Sequence, residues 1–464
     1  MPEAPTAPGD GARATAPPVV APPPGHPRFP LYDSLRGVAA IMVLIIHCMG
    51  ASGALTTPIS RFFYHFEVSI TLLFMLSAFL LYRPFVAARM KKAPSVAFRD
   101  YALRRVLRIV PGYYLALIVL GIYPGLTGVY GSQWWVYFGF LQIYNPLYDT
   151  NPAACGPPPH CGIAPAWTLG VEIAFYVLLP FFVLFMAWAA TRVRRPVRFE
   201  LAVLSALGVT GLLTRFWAFE HLPEAAWTLQ TFSTLYLWLV AGMLLAVVSA
   251  RIQGRERESR LATFVTRRPW APWTAAIALY AMLVVVLQPT ADFYGQTPVG
   301  AVFKFAVFTV ITVLLLLPAT FGSDAGGWPR RFLANRFIAW VGLIAYGVYL
   351  YHMPIAYELV DLGVGDIQDD LLRWAVLTVT TLAAAIACGA ASYYLWERRF
   401  LRLKYRRGKG SSGRARERGG RPAALARRVD PLGPAGLRVD EVGAAVGRGE
   451  AVDVERAARE DPAR

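Results

Sequence analysis

LYDSLRGVAAIMVLIIH, residues 31–47, places ten residues between Arg36 and His47 in an apolar run. Eleven helical steps of about 100° return to nearly the same face, so the two side chains share one stripe. A rise of about 1.5 Å per residue sets them roughly 16 Å apart, half the thickness of a hydrocarbon core. One sits at a membrane surface and the other near mid-membrane. An imidazole at that depth is costly unless it faces protein or water, which makes His47 a candidate functional group. The competing reading is a histidine bonded to a neighbouring helix as packing glue.

The rest of the chain agrees with a membrane setting. It is 56% hydrophobic with a mean hydropathy of +0.43 and only 16% charged residues, against about 25% charged in soluble domains. The apolar residues come in blocks of spanning length. Ten spans are predicted, near 34–53, 67–83, 109–127, 167–190, 200–218, 231–250, 273–290, 301–318, 337–357 and 371–395. The aromatic stretch from Trp134 to Tyr144 is too short to cross and is expected to be a re-entrant or interfacial helix. The fold expected is all-α, a polytopic membrane bundle of about ten transmembrane helices.

Charge sets the orientation. The net charge of +17 could suggest nucleic-acid binding, but the basic residues alternate between loops, as the positive-inside rule requires. Residues 83–108 carry eight Lys and Arg against one acid, Asp100, whereas 122–166 carry none. Arginines recur at 192–198, 251–268 and 330–336. These assignments put both termini in the cytoplasm of a multi-pass plasma-membrane protein. A full crossing at 134–144 would move the 192–198 arginines outside, so that stretch is read as non-spanning.

The chain divides into a leader (1–30), a transmembrane domain (31–400) and a basic tail (401–464). The leader holds ten prolines and no apolar core of a signal peptide, so it reads as disordered and cytoplasmic. Residues 402–428 hold eleven basic residues and one acid, Glu417, a composition that suits anionic lipid or solvent. No nucleic-acid partner is expected, because no aromatic residue for base stacking follows Tyr405. Cys155 and Cys161 fall in an outer Pro/Gly-rich segment, where a short disulfide-closed loop is favoured. His160 beside them raises a metal alternative, but two Cys and one His fall short of four ligands, so no metal is expected. Cys48 and Cys388 lie within spans as small apolar residues.

Three ionisable groups fall at one depth. With Trp167 as an interfacial anchor, Glu172 lies about 7–8 Å in from the outer side. His352 lies about 8 Å, and His47 about 10 Å, short of the same surface. At the other face, Arg105 and Arg108 stand at i,i+3 in RRVLRIVPGYY, so both guanidinium groups can meet one anionic ligand such as a phosphate. Arginines at an inner interface also serve simply to fix topology. The clusters describe an anion-binding cytoplasmic mouth and a His/Glu centre deeper in, joined by Arg36.

YDSLRGVAAIMVLIIH, FMLSAFLLYRPF, RRVLRIVPGYY, PAWTLGVEIAFYVLLP and LIAYGVYLYHMPI occur in this order. Over roughly residues 28–400 the chain resembles the acyltransferase-3 membrane acyltransferases, which include O-antigen and peptidoglycan O-acetylases and macrolide O-acyltransferases. The resemblance implies a catalytic His47 supported by Arg36, contact of Arg105 and Arg108 with acyl-CoA, and an acidic Glu172 near the site. The chain departs from the common form at Ala78, Thr168, Gly170 and Ala345, which bears on the acceptor. The esterase-like domain fused to some members is not expected here.

These expectations fit together chemically. Acyl-CoA, most often acetyl-CoA in such proteins, is a cytosolic polyanion and acts as co-substrate; no permanently bound cofactor is implied. His47 is then a general base toward an acceptor hydroxyl or a covalent acyl carrier, with Glu172 holding its tautomer. His352 is the weaker candidate, for positioning the acceptor. The acceptor expected is a carbohydrate, extracytoplasmic or on a macrolide-type natural product. A proton-coupled transporter is the rival reading, since it also uses buried His and Glu. It has no need of the Arg105–Arg108 pair.

Overall fold

The computed structural model describes residues 29–126, 128–144, 162–222, 230–287, 297–321 and 326–402. Its long helices are α1 (Leu31–Ala51), α2 (Val68–Met90), α3 (Phe98–Ile122), α4 (Trp167–Ala190), α5 (Pro196–His221), α6 (Phe232–Ile252), α7 (Trp270–Val286), α8 (Pro298–Thr320), α9 (Arg336–Asp361) and α10 (Asp370–Ala391). No strand occurs among the described residues. Nine of these helices are long and apolar enough to span a membrane. α7 meets the same criterion only together with the short helix Arg260–Arg267, bent against it by 86°, which brings the spans to ten if that pair counts as one. Trp134–Tyr144 forms only a five-residue helix, Trp134–Phe138, and a turn at Gln142–Tyr144. The leader and tail fall almost wholly outside the described residues, as do Cys155 and Cys161.

Local sequence explains several boundaries. Thr297 caps α8 by accepting from the Gly300 amide at 3.1 Å, with Pro298 at the first helical position. Asn335 caps α9 through the Phe337 and Ile338 amides. Asp369 caps α10 through Leu372 at 2.7 Å. At the far end of α8, Arg330 is buried, donating to the carbonyls of Pro318 (3.0 Å), Phe321 (2.6 Å) and Val265 (3.2 Å). It closes the helix end, which satisfies carbonyls that would otherwise be orphaned. The sequence reads it simply as a loop charge.

Helix packing in lipid depends on close backbone approach at small residues. A methyl added to Gly342 would lie 1.8 Å from the Asp33 carbonyl oxygen, and one on Gly37 would lie 2.8 Å from the Gly342 nitrogen. The backbones of α1 and α9 therefore touch at this crossing. A second contact, Gly347 against Gly389, joins α9 to α10. Gly37 meets Gly342, and ten residues further along each helix His47 meets His352. The two helices thus run parallel, which requires an even number of chain reversals between them. Ten crossings supply an even number there, whereas a further crossing at 134–144 would not.

Candidate functional site

Two cavities follow one row of α1. Arg36 and Ala40 line the first, of about 110 Å³. Val43 and His47 line the second, of about 310 Å³. These four positions stand at i, i+4, i+7 and i+11, the stripe that the sequence predicts. α9 presents a similar row at i, i+3, i+7 and i+11, with Gly342, Ala345 and Tyr349 on the first cavity and Met353 on the second.

The first cavity gathers the arginines. Arg105 and Arg108 of α3 join Arg36 on its wall, with Glu172 and Tyr176 of α4 opposite. Arg36 is held by Asp33 at 2.6 Å. Arg105 Nε is buried without a hydrogen-bond partner among the described residues, an unmet donor at the wall of an open space. Three guanidinium groups and one carboxylate, that of Glu172, line the cavity, so its wall suits an anionic ligand.

On the second cavity, His47 is backed by His352, which is fully buried and does not line the cavity. His47 Nδ1 lies 2.7 Å from His352 Nε2, and the rings are parallel within 4° with centroids 5.0 Å apart. They meet edge to edge through these nitrogens. His352 Nδ1 lies 2.8 Å from the Tyr349 carbonyl oxygen. A carbonyl only accepts, so His352 Nδ1 carries the proton. With both rings neutral, His352 Nε2 then accepts from His47 Nδ1–H. His47 Nε2 keeps a free lone pair, which is what a base or nucleophile requires. Backbone geometry in α9 thereby fixes the tautomer of a side chain on α1.

Glu172 differs from the expectation. Its carboxylate accepts from Ser77 at 2.8 Å and from the Tyr176 hydroxyl. Among the described residues no hydrogen bond joins it to His47, whose partner is His352. Trp167, read from the sequence as an interfacial anchor, lines the histidine cavity. Five residues further on, Glu172 reaches the arginine cavity. Arg36 likewise lines that cavity and sits one end of the stripe away from the imidazole.

The sequence reading overlooks other polar groups. Lys304, buried in α8, pairs with Glu67 and lies 4.5 Å from the Tyr64 ring centroid. Both Lys304 and Glu67 line the histidine cavity, alongside Trp167 and Trp238. A lone lysine in the apolar block VGAVFKFAVFTV is a sequence signal in its own right, since such a charge in a span normally faces the bundle interior.

The acyltransferase domain of the acyltransferase-3 type matches residues 30–390, and the chain belongs to that family of multi-pass membrane acyltransferases. It is 23% identical over 351 residues to the peptidoglycan O-acetyltransferase OatA of Listeria monocytogenes, covering 70% of this chain and 49% of that protein. It is 22% identical over 348 residues to the putative peptidoglycan O-acetyltransferase YrhL of Bacillus subtilis, covering 71% and 49%. The chain therefore spans about half the length of these curated relatives. No solved structure matches it.

Proposed function

We propose that this protein transfers an acyl group, in the first instance acetyl, from cytosolic acyl-CoA to a hydroxyl of a carbohydrate or of a glycosylated natural product such as a macrolide. The observation that carries this reading is the single α1 row running from a cavity of three guanidinium groups to a cavity holding a free imidazole nitrogen. Family membership favours it over a proton-coupled transporter. The names of the two relatives favour acetyl as the acyl group and a carbohydrate as the acceptor.

In this reading the positive-inside rule turns the arginine cavity to the cytoplasm and leaves both termini there. Arg36, Arg105 and Arg108 hold the phosphates of CoA, and the thin pantetheine arm extends along the row toward His47. The acceptor occupies the second cavity, where Trp167 and Trp238 offer apolar faces to a sugar ring and the Lys304–Glu67 pair offers a donor and an acceptor to its hydroxyls. His47 Nε2 removes the hydroxyl proton as oxygen attacks the thioester carbonyl. The carbon–sulfur bond then breaks, and the proton passes to the departing thiolate, so the products are an ester and free CoA. Separate cavities let donor and acceptor bind together, which favours direct transfer over an acyl-histidine carrier.

The test is acyl transfer by purified protein from acetyl-CoA to a panel of glycan and macrolide acceptors. His47→Ala is expected to lower the rate by 10²–10⁴-fold, the usual range for losing a general base, while acetyl-CoA still binds. Initial rates at varied concentrations of both substrates are expected to give intersecting lines. Parallel lines would indicate a covalent acyl-enzyme.

A further inference from the structure

The two cavities have separate walls that share one residue, Ile70 of α2. Along α1 the lining passes from Ala40 to Val43, and on α4 from Thr168 to Trp167. On α2 it passes from Leu73 and Phe74 through Ile70 to Ser69, and to Glu67 just before the helix. The partition is not equally firm all round. On the α4–α9 side, the Tyr349 hydroxyl donates to the Pro165 carbonyl at 2.8 Å and lies 3.0 Å from Thr168 Oγ1. Ile70 offers only an apolar, half-buried branched side chain to the same boundary.

Resting on the acyl-transfer reading above, the geometry points to Ile70 as the residue that sets acyl-chain length. For His47 to act, the thioester carbonyl must come within bonding reach of an acceptor hydroxyl on the far side of this boundary. The acyl chain then lies against Ile70 while the phosphates stay on the arginines. A β-branched residue is stiff about its first side-chain bond, so it yields little room. An acetyl methyl fits beside it, whereas a four-carbon chain collides. One methylene in an apolar pocket is worth about 1–3 kcal/mol of discrimination, or 10–200-fold, so two further methylenes suffice for strong selection.

The experiment compares kcat/KM for acetyl-CoA and butyryl-CoA in the unaltered protein and in Ile70→Ala, Ile70→Val and Ile70→Phe, with acetyl-CoA affinity measured in parallel. The unaltered protein should prefer acetyl. Ile70→Ala should reduce the acetyl-to-butyryl ratio at least tenfold, and Ile70→Val should reduce it less. Ile70→Phe should slow acetyl transfer while donor affinity holds. The valine variant keeps the test valid should alanine or phenylalanine prevent assembly. Transfer by the unaltered protein with the same ratio in every assembled variant would overturn the role of Ile70 alone. No transfer from either donor by the unaltered protein would overturn the functional reading and this inference with it.

Discussion

His47 and His352 are joined at 2.7 Å across 305 residues of chain, and Gly37 and Gly342, whose backbones touch, are separated by the same offset. Two parallel helices in register therefore carry the imidazole pair at one level and the close crossing at another. The crossing determines how near the rings come. The carbonyl of Tyr349 determines which nitrogen of each ring is protonated. Position and tautomer of His47 are both set from α9.

Replacing His352 tests that dependence. His352→Ala removes the acceptor for His47 Nδ1–H and frees the ring to rotate or change tautomer. An interhelical hydrogen bond in a membrane contributes only about 0.6–2 kcal/mol, so assembly should survive. The kcat should fall on the order of 10–100-fold, by analogy with the loss of the outer-shell partner of a metal-bound histidine, with little change in KM for acyl-CoA. His352→Gln, whose amide oxygen can accept the same proton, should recover part of the rate. Full activity in the alanine variant would reduce the pair to packing.

Arg105 and Arg108 are expected to act on binding. A hydrogen bond to a charged group contributes about 1.5–3 kcal/mol, so Arg105→Ala or Arg108→Ala should raise KM for acyl-CoA on the order of 10–100-fold, with kcat much less affected. Unchanged donor affinity in both, by kinetics and calorimetry, would leave these arginines as topology anchors.

Gly342→Ala should separate α1 from α9, because its methyl would overlap the Asp33 carbonyl. Overpacking of this kind costs about 1–3 kcal/mol or more. The variant should melt at a lower temperature in detergent and lose activity through the displaced histidine pair. An unchanged melting temperature and rate would show that the crossing is not needed to hold the site.

Much of this arrangement is legible in the chain. The Arg36–His47 stripe, the ten apolar blocks and the short Trp134–Tyr144 stretch follow from spacing and composition, which local rules govern. The estimate of depth brings His47 and His352 to one level, but their contact joins residues 305 apart, and no periodicity reports that. Glu172 is misplaced for a physical reason: a tryptophan at a helix start suits an interfacial belt and a cavity wall equally well, and Trp167 lines the histidine cavity. Lys304 and Glu67 are visible as charges within or beside apolar blocks. Their mutual pairing depends on α8 packing near the start of α2 and becomes apparent only in three dimensions.

Sidedness decides whether the two cavities serve one transfer. In sealed vesicles of known orientation, acyl-CoA is supplied to one face and a membrane-impermeant carbohydrate acceptor to the other. Acylated acceptor should form only when acyl-CoA meets the face carrying Arg105 and Arg108 and the acceptor is on the opposite side. Turnover with acyl-CoA confined to the face nearer His47 would contradict it, since the guanidinium cavity would then take no part in delivering the donor.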